Sequence, residues 1–327
     1  MRKVAVTYGD FNGIGFEIMV KALNKLDLPY EDIILVGSQK IFDYYSSRYN
    51  LRLKNDYKLV DVPIGYAGID IGQENAVSGE HCFKCLETVC ELVDDGRVRN
   101  VVTAPVSKHV LNMAGYNYSG QTEVLEKFLA KENQKPEMLF VAGNFRVMLL
   151  TRHIPVKDVS PALSKSMIIE KMNRLNHSLV KNFGIMKPKI GLLSFNPHAG
   201  EDGIIGTEEK EIILPAIREL RMSGMDISGP LVPDATFAQI GKSYSFGKIM
   251  PYDCYVAIYH DQGLIPMKLL AGDDAVNVTI GLSSIRTSPA HGTAYDIAGR
   301  GMARCDSMLS AVSLALKLAH KNIDYFR

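Results

Sequence analysis

The sequence predicts an α/β fold in which short strands alternate with longer helices around a largely parallel sheet. Short runs of β-branched and apolar residues, such as Val4–Thr7 and Ile33–Gly37, are followed by amphipathic stretches, such as Phe16–Leu26 and Lys40–Arg48. This alternation is typical of βαβ units, because strands and helices require apolar residues at different spacings. The 327-residue chain, with 46% hydrophobic residues, is also long enough for about two domains with a substantial core.

The predicted elements continue in the same manner along the chain. Further strands are predicted at Val98–Ala104, Met138–Val141, Val147–Leu150, Ile190–Phe195 and Tyr255–Tyr259. Further helices are predicted at Val77–Val93, Ala162–Asn182, Glu208–Gly224 and Ser307–Asn322. Thr207 and Asp306 stand where helix N-caps are expected. No repeat or linker interrupts the series, so composition alone does not divide the chain into domains.

The charge balance and the cysteines argue against several classes of protein. Lysine plus arginine (37) nearly equals aspartate plus glutamate (36), so no overall field draws the chain to nucleic acid or to an acidic membrane surface. The five cysteines are odd in number and sparse, which fits a reducing compartment, and Cys82 and Cys85 are interpreted as buried thiols on a helix. The short apolar group Val4-Ala5-Val6 predicts no signal peptide, so a cytoplasmic location is expected.

Three histidines occupy equivalent places after predicted strands. His153 follows the strand Val147–Leu150, and His198 and His260 follow the next two predicted strands. Because ligands bind beyond the carboxyl ends of parallel strands, these imidazoles can converge although they are far apart in sequence. Three neutral histidines with open positions suit zinc or a similar divalent ion. The alternative is that each histidine is a structural hydrogen-bonding residue.

A glycine-rich segment, Gly9-Asp10-Phe11-Asn12-Gly13-Ile14-Gly15, connects the first strand to the first helix. It can bring backbone N–H donors to a ligand, or it can be a tight strand-to-helix turn. Its glycine spacing differs from the dinucleotide fingerprint G-x-G-x-x-G, so it does not predict a Rossmann nucleotide site.

Three polar residues near the C-terminal part of the sequence are candidates for binding an anion. Lys268, Asn277 and Arg286 flank a run of glycine and small residues. The two cations can clamp a carboxylate or phosphate, and the arginine can do so with two parallel hydrogen bonds. Taken one by one, each charge is equally compatible with an exposed surface position.

Taken together, these segments resemble the 4-hydroxythreonine-4-phosphate dehydrogenase (PdxA) family of vitamin B6 biosynthesis, from about Thr7 to Ala315. The ordered set of motifs is far more specific than any one of them. The motifs are Gly9-Asp10 with Gly13-Ile14-Gly15, Thr103-Ala104-Pro105-Val106-Ser107-Lys108, Asn196-Pro197-His198-Ala199-Gly200-Glu201, Tyr259-His260-Asp261-Gln262-Gly263 and Arg286-Thr287-Ser288.

The resemblance implies a fold and a domain arrangement. It implies two α/β/α domains of the isocitrate and isopropylmalate dehydrogenase type that share a continuous mixed sheet, with the active site in the cleft between them. On this basis residues 1–127 and 287–327 are expected to form a cofactor-side domain, and residues 128–286 a domain for metal, substrate and dimerisation. It also implies a homodimer whose active site lies at the subunit interface, with metal ligands drawn from both chains.

The resemblance also assigns roles to individual residues. The implied metal ligands are His153, His198 and His260, for zinc, magnesium, manganese or cobalt. The implied substrate contacts are Gln121, Thr122, Lys268, Asn277 and Arg286. The implied acid and base residues of the pocket are Lys268, Asp261 and Asp234. The stretch His291-Gly292-Thr293-Ala294-Tyr295-Asp296-Ile297-Ala298-Gly299 is similar to the cofactor loop of the isocitrate and isopropylmalate dehydrogenases, and the implied NAD or NADP contacts are His291, Gly292, Thr293 and Ala294.

The sequence departs from the family pattern at the substrate pocket. The family's G-H-T-E segment is Gly120-Gln121-Thr122-Glu123 here, so a neutral amide replaces a histidine that contacts substrate. Phe11 and Phe16 stand where the family has prolines, and the connection from Asp234 to His260 is longer than usual. Each of these differences predicts a reshaped pocket.

The expected reaction is NAD- and metal-dependent oxidation, with decarboxylation, of 4-phosphohydroxy-L-threonine. One alternative is a sister dehydrogenase of the family that acts on 4-phosphoerythronate, phosphothreonate or a dihydrodiol, and Gln121 is the residue that favours it. A zinc hydrolase is an alternative of another class, because three histidines can also activate a water molecule. A third alternative is a sensor or scaffold that binds ligand without turnover.

Overall fold

The computed structural model describes residues 3–65, 68–132, 134–245, 247 and 249–320. It confirms the predicted α/β class, because helices connect strands in mixed parallel and antiparallel pairing. The chain forms two compact units. The first contains the described residues up to Pro136 together with those from Val276 onwards, and the second is Glu137–Ala275. In the described part of the chain, no helix has the length and apolar character needed to span a bilayer.

The strands are β1 (Val4–Thr7), β2 (Ile33–Gly37), β3 (Lys58–Asp61), β4 (Asn100–Thr103), β5 (Glu137–Ala142), β6 (Phe145–Leu149), β7 (Lys189–Leu193), β8 (Asp226–Leu231), β9 (Cys254–Ala257), β10 (Val276–Ile280) and β11 (Ile285–Pro289). The helices are α1 (Gly15–Lys25), α2 (Gln39–Tyr49), α3 (Ala76–Asp94), α4 (Lys108–Met113), α5 (Gln121–Leu129), α6 (Val159–Ala162), α7 (Lys165–Lys181), α8 (Leu214–Met222), α9 (Pro233–Ser245), α10 (His260–Ala271) and α11 (Asp306–His320).

In the first unit the strands lie in the order β3-β2-β1-β4-β11-β10. All neighbours are parallel except β10 and β11, which form an antiparallel pair. Every residue of β1, β2 and β4 is buried, as expected for central parallel strands covered on both faces. Cys82 and Cys85 are free thiols buried on α3, which confirms their interpretation as core residues.

In the second unit the order is β5-β6-β9-β7-β8. β5 and β6 are antiparallel, whereas β6, β9, β7 and β8 are parallel neighbours. The carboxyl ends of β6, β9 and β7 therefore lie side by side at one edge of the sheet. This edge carries the loops that contain the three candidate metal ligands.

The unit boundaries and two helices differ from the sequence-based expectation. The chain passes from the first unit to the second after Pro136 and returns after Ala275. The expected boundaries were 127/128 and 286/287. They differ because α5 packs on α3 and β10 pairs with β11. The helix predicted over Ala162–Asn182 is divided, since Ser164 caps α7 with its side chain. The helix predicted from Glu208 begins with a π-helical turn, Glu209–Ile213, before α8.

Candidate active site

The three candidate metal ligands lie beyond adjacent strand ends, as the sequence predicts. His153 follows β6, His260 follows β9 and His198 follows β7, and β9 lies between the other two strands. The ring centroids of His153 and His260 are 5.7 Å apart. The parallel arrangement therefore brings two of these imidazoles together and places the third after the neighbouring strand.

A cavity of about 230 Å³ opens at the His153–His260 pair. Its lining includes Arg152, Tyr259 and Asp261. Nδ1 of His260 lies 2.7 Å from Oδ1 of Asp261, a hydrogen bond that orients the ring and leaves Nε2 for another partner. Asp261 therefore orients the imidazole of His260 in this structure.

The described residues of one chain do not by themselves assemble a complete metal site. Within the described ranges, no group of three or more His, Cys, Asp or Glu surrounds a single metal position. His198 is thus not gathered with the His153–His260 pair. Two close imidazoles and a third at the next strand end nevertheless form a nitrogen donor set that fits zinc or a similar divalent ion. The three-histidine site remains a prediction.

The proposed acid and base residues of the second unit are exposed. Asp234 lies in the first turn of α9, and Lys268 lies in the last turn of α10, the helix that begins at His260. The structure therefore places Lys268 and the histidine on one helix, about two turns apart. Asp234 lies on a different helix.

A second polar cluster, in the first unit, surrounds Arg286. This arginine lies on β11, is only 5% exposed, and donates from Nε to Oγ1 of Thr103 at 2.8 Å. Burial lowers the pKa of Arg286 to about 10, and the charge of Glu123 opposes this shift. The guanidinium is therefore still charged at neutral pH, in a setting that favours an anionic partner.

Two side-chain amides on adjoining elements of this unit, one buried and one partly buried, each have a shielded oxygen. Gln121, the first residue of α5, donates from Nε2 to the carbonyl oxygen of Ala104 at 3.1 Å, directly after β4. This bond leaves its Oε1 buried and without a hydrogen-bond partner among the described residues. Oδ1 of Asn277 is in the same state. Asn277 and Arg286 project from the same face of the β10–β11 pair.

Thr122 follows Gln121 on α5 and is partly buried. The first unit thus brings together four of the predicted substrate residues at adjoining elements, namely Gln121, Thr122, Asn277 and Arg286. Lys268 belongs to the second unit.

The glycine segment after β1 supports the predicted cofactor segment. Gly13 N donates to the carbonyl oxygen of Asp10 at 3.1 Å, and Ile14 N donates to that of Thr293 at 2.9 Å. A Cβ at Gly13 would lie 2.8 Å from the same Thr293 oxygen, so only glycine permits this approach. Since the chain itself uses these donors, the structure favours the tight-turn interpretation over a ligand cradle.

The predicted cofactor segment itself is accessible. His291 and Gly292 are exposed, and Thr293 and Ala294 are partly buried, with Ala294 in the left-handed region at φ 42°. Nδ1 of His291 lies 3.0 Å from the carbonyl oxygen of Gly292. A Cβ added at Gly292 would meet no atom within 4 Å, so this backbone is open to an approaching group.

Sequence reasoning missed a residue that anchors this segment. The hydroxyl of Tyr295 donates to Oδ2 of Asp10 at 2.6 Å, and Asp10 is fully buried. Burial raises the pKa of Asp10, although hydrogen bonds from Tyr295, Asn12 and Ser78 oppose the shift. The sequence signal was its place in the stretch from His291 to Gly299 that is similar to the cofactor loop, although that resemblance gave Tyr295 no role of its own.

The comparisons with known proteins agree with this architecture. The family model of the pyridoxal phosphate biosynthetic protein PdxA matches residues 18–315. A 4-hydroxythreonine-4-phosphate dehydrogenase of Sulfurihydrogenibium sp. is 38% identical, covering 97% of this chain and 98% of the relative. A D-threonate 4-phosphate dehydrogenase of Salmonella typhimurium is 35% identical, covering 97% and 99%.

A solved structure agrees as well. The crystal structure of a 4-hydroxythreonine-4-phosphate dehydrogenase from Klebsiella pneumoniae has a TM-score of 0.86 at 32% identity, with 97% of this chain and 98% of that chain covered. An α/β chain with these relatives is an oxidoreductase of the dehydrogenase class. The chain belongs to the PdxA family, which confirms the resemblance seen in the sequence and sets the hydrolase interpretation aside.

Proposed function

We propose that the chain catalyses the NAD-dependent, divalent-metal-dependent oxidation of 4-phosphohydroxy-L-threonine in pyridoxal 5'-phosphate biosynthesis. Hydride passes to NAD and gives 2-amino-3-oxo-4-phosphooxybutanoate, a β-keto acid that then loses its carboxylate as CO₂. The observation that carries this proposal is the buried Arg286, together with the unpaired acceptors Gln121 Oε1 and Asn277 Oδ1 on adjoining elements of the same unit. A buried cation calls for an anionic group, and buried acceptors call for N–H or O–H donors. A phosphorylated hydroxy amino acid carries both.

Each group of residues then has a task. Arg286 binds the phosphate or carboxylate, and the two amide oxygens accept hydrogen bonds from the substrate's hydroxyl or ammonium. His153, His198 and His260 would hold the divalent ion, which supplies Lewis-acid chemistry at a substrate oxygen when it is bound.

Proton transfer and cofactor binding fall to other residues. We assign removal of the hydroxyl proton to Nζ of Lys268, with Asp261 orienting His260 through the 2.7 Å hydrogen bond. Asp234, exposed at the start of α9, is assigned to the same pocket. The segment from His291 to Ala294 would contact NAD or NADP, since its backbone is open at Gly292.

The proposal includes a homodimer with the active site at its interface. Ile265 and Leu269 are 56% and 80% exposed on α10, one helical turn apart and on the helix that carries His260 and Lys268. Exposed apolar residues on one face favour a protein contact. Light scattering should give the mass of two chains, and Leu269→Glu should shift the mass towards one chain.

A second substrate has a specific observation in its favour. Gln121 is a neutral amide where the family pattern has histidine, and a relative of similar identity is named D-threonate 4-phosphate dehydrogenase. An amide oxygen accepts a hydrogen bond from a hydroxyl as readily as from an ammonium. A phosphorylated sugar acid is therefore the second candidate.

The deciding experiment measures NAD reduction with 4-phosphohydroxy-L-threonine, phosphothreonate and 4-phosphoerythronate, each with divalent metal and after chelation. Metal-dependent turnover of the amino acid with the highest kcat/KM supports the first candidate. A tenfold higher kcat/KM for a substrate without an amino group, equivalent to about 1.4 kcal/mol, supports the second candidate. No reduction with any of them contradicts both.

The variant Arg286→Met tests the observation itself. If Arg286 binds the substrate anion, Met should raise KM at least about tenfold, because a charge-assisted hydrogen bond contributes about 1.5 to 3 kcal/mol. The melting temperature should change little, because removal of a buried charge offsets the loss of the hydrogen bond to Thr103. Arg218→Met, at an exposed position on α8, is the matched control. A falling melting temperature with unchanged KM would make Arg286 a structural residue.

A further inference from the structure

The loop after β7 has an unusual backbone. Six consecutive residues have positive φ angles, namely His198 (52°), Ala199 (54°), Gly200 (81°), Glu201 (43°), Asp202 (54°) and Gly203 (101°). Four of them carry a Cβ, which approaches the following carbonyl oxygen in this region and makes it unfavourable for L-residues. Such a left-handed turn persists only when surrounding contacts hold it.

Three of the contacts that hold it come from one buried carboxylate. Glu209 is 3% exposed. Its Oε1 accepts hydrogen bonds from the backbone N–H groups of Phe195 at 2.8 Å and Asn196 at 2.7 Å. Its Oε2 accepts from Nδ2 of Asn196 at 2.8 Å. The carboxylate therefore fixes the two residues through which the chain enters the turn.

The inside of the turn is built around the same groups. A Cβ at Gly200 would lie 2.9 Å from Oε2 of Glu209, and a Cβ at Gly206 would lie 2.4 Å from Nδ2 of Asn196. Glu208 adds a second acceptor for Asn196 Nδ2 at 2.7 Å, and its other oxygen accepts from Oγ of Ser160 at 2.7 Å. The turn thus wraps closely around the Glu209–Asn196 contact.

Glu209 also begins the π-helical turn Glu209–Ile213 that precedes α8. A π turn accommodates an extra residue relative to an α-helix and is often found at functional sites. While Glu209 is buried inside the loop, His198 is exposed on the outside of it. The carboxylate of Glu209 therefore lies on the inner side of the loop, and the imidazole of His198 lies on its outer side.

We propose that Glu209 is a positioning residue for metal binding, whose carboxylate holds the left-handed turn so that His198 is presented beyond the carboxyl end of β7. The inference rests on the proposed function, because it takes His198 as a metal ligand. Glu209 itself contacts the loop and no reacting group. Without the carboxylate oxygen that accepts from two backbone N–H groups, the turn should relax towards right-handed conformations and His198 should no longer be held ready for the ion.

The test measures the affinity for Zn²⁺ by competition with a chromogenic chelator, and the visible absorption of the Co²⁺-loaded protein. Glu209→Gln keeps one acceptor but turns an NH₂ group towards Asn196 Nδ2. We expect its Zn²⁺ affinity to fall at least tenfold and its Co²⁺ bands to shift, with an unchanged Kd for NAD. Glu211→Gln, at an exposed position of the same π turn, should leave both readouts as in the wild type.

A double-mutant cycle separates positioning from general damage. In a His198→Ala background, Glu209→Gln should lower the Zn²⁺ affinity by less than twofold further, because the residue that it positions is gone. An equal tenfold loss in both backgrounds would overturn the proposal. Gly200→Ala, which disturbs the same contact from the other side, provides the measurement if Glu209→Gln does not fold.

The remaining outcomes separate the role of His198 as a metal ligand from the role of Glu209 in positioning it. Wild-type Zn²⁺ affinity in His198→Ala would remove His198 from the metal site, and would overturn the ligand assignment of the proposed function together with the positioning role. A loss in His198→Ala with wild-type affinity in Glu209→Gln would overturn the positioning role alone and leave the ligand assignment in place.

Discussion

Two glycine-rich loops follow parallel strands in this molecule, one after β1 in the first unit and one after β7 in the second. The first loop, Gly9–Gly15, is buried. Its backbone N–H groups donate to carbonyl oxygens within the loop, of Pro105 and of Thr293. The second loop, Asn196–Gly206, buries the carboxylate of Glu209 and leaves His198 exposed. Glycine-rich loops at equivalent positions thus differ in role. The first packs inside its unit, and the second exposes the side chain of His198.

The two loops also place histidines in opposite environments. His81, on α3, packs beneath the first loop, 3% exposed, with Nε2 2.7 Å from the hydroxyl of Tyr8 and its ring beside Phe11. His198 faces outwards on the second loop. The difference teaches that a glycine-rich turn after a strand indicates a ligand site only when a side chain with binding capacity remains accessible.

The largest expected effect is on the stability of the first loop. A Cβ at Gly15 would lie 2.1 Å from the backbone oxygen of Tyr8, so Gly15→Ala should lower the free energy of unfolding by about 3 kcal/mol or more. Gly203→Ala is the counterpart in the second loop, where the added Cβ meets only Thr207 at 3.9 Å but φ is +101°. It should lose about 1 to 2 kcal/mol. Denaturant unfolding measures both, and equal losses would contradict the comparison.

The next effect concerns pH. Burial lowers the pKa of His81 from 6.5 to about 4, so on acidification the unfolded chain takes up the proton first. The stability contributed by neutral His81 is therefore complete above pH 6.5 and is lost between about pH 6.5 and 4, to a total of about 3 kcal/mol.

The variant His81→Gln keeps an acceptor for Tyr8 but does not titrate, so its stability should fall less over this range. His177→Gln, at an exposed position of α7, should behave as the wild type. The measurement is hydrogen exchange of the α3 amides as a function of pH. Identical pH profiles for His81→Gln and the wild type would remove His81 as the source of acid sensitivity.

A smaller effect is expected at the contact between the first loop and the cofactor segment. Tyr295→Phe removes the 2.6 Å hydrogen bond to the buried carboxylate of Asp10, which should lower stability by about 1 to 3 kcal/mol. If residues 291–294 bind the nucleotide, KM for NAD should rise while KM for the phosphorylated substrate stays the same. Equal changes in both constants would show that the contact supports the whole unit and not the segment alone.

The smallest effect on stability is expected at Gly292. An added Cβ meets no atom within 4 Å and φ lies outside the left-handed region, so Gly292→Ala should change stability by less than about 1 kcal/mol. KM for NAD should nevertheless rise, because the methyl group would occupy space that the nucleotide needs. An unchanged KM would place the nucleotide elsewhere.

Much of the fold was accessible from the sequence because apolar periodicity marks buried elements directly. β1, β2 and β4 are fully buried runs, and α3, α7 and α11 have clear amphipathic patterns. Two of the elements that escaped prediction break those patterns. β8 contains Gly229 and Pro230, and α10 contains Gly263 and Pro266, so local propensity opposes the structure that tertiary contacts impose there.

The α/β class, the family and the placement of His153, His198 and His260 after strands could all be predicted from the amino-acid sequence, because periodicity and motifs are local properties of the chain. Tertiary structure alone decided that β6, β9 and β7 are neighbours, that Gln121 and Asn277 keep unpaired oxygens near Arg286, and that Glu209 lies inside the loop of His198. These facts depend on contacts between residues distant in sequence, and strand order and side-chain burial are settled only when the whole unit packs.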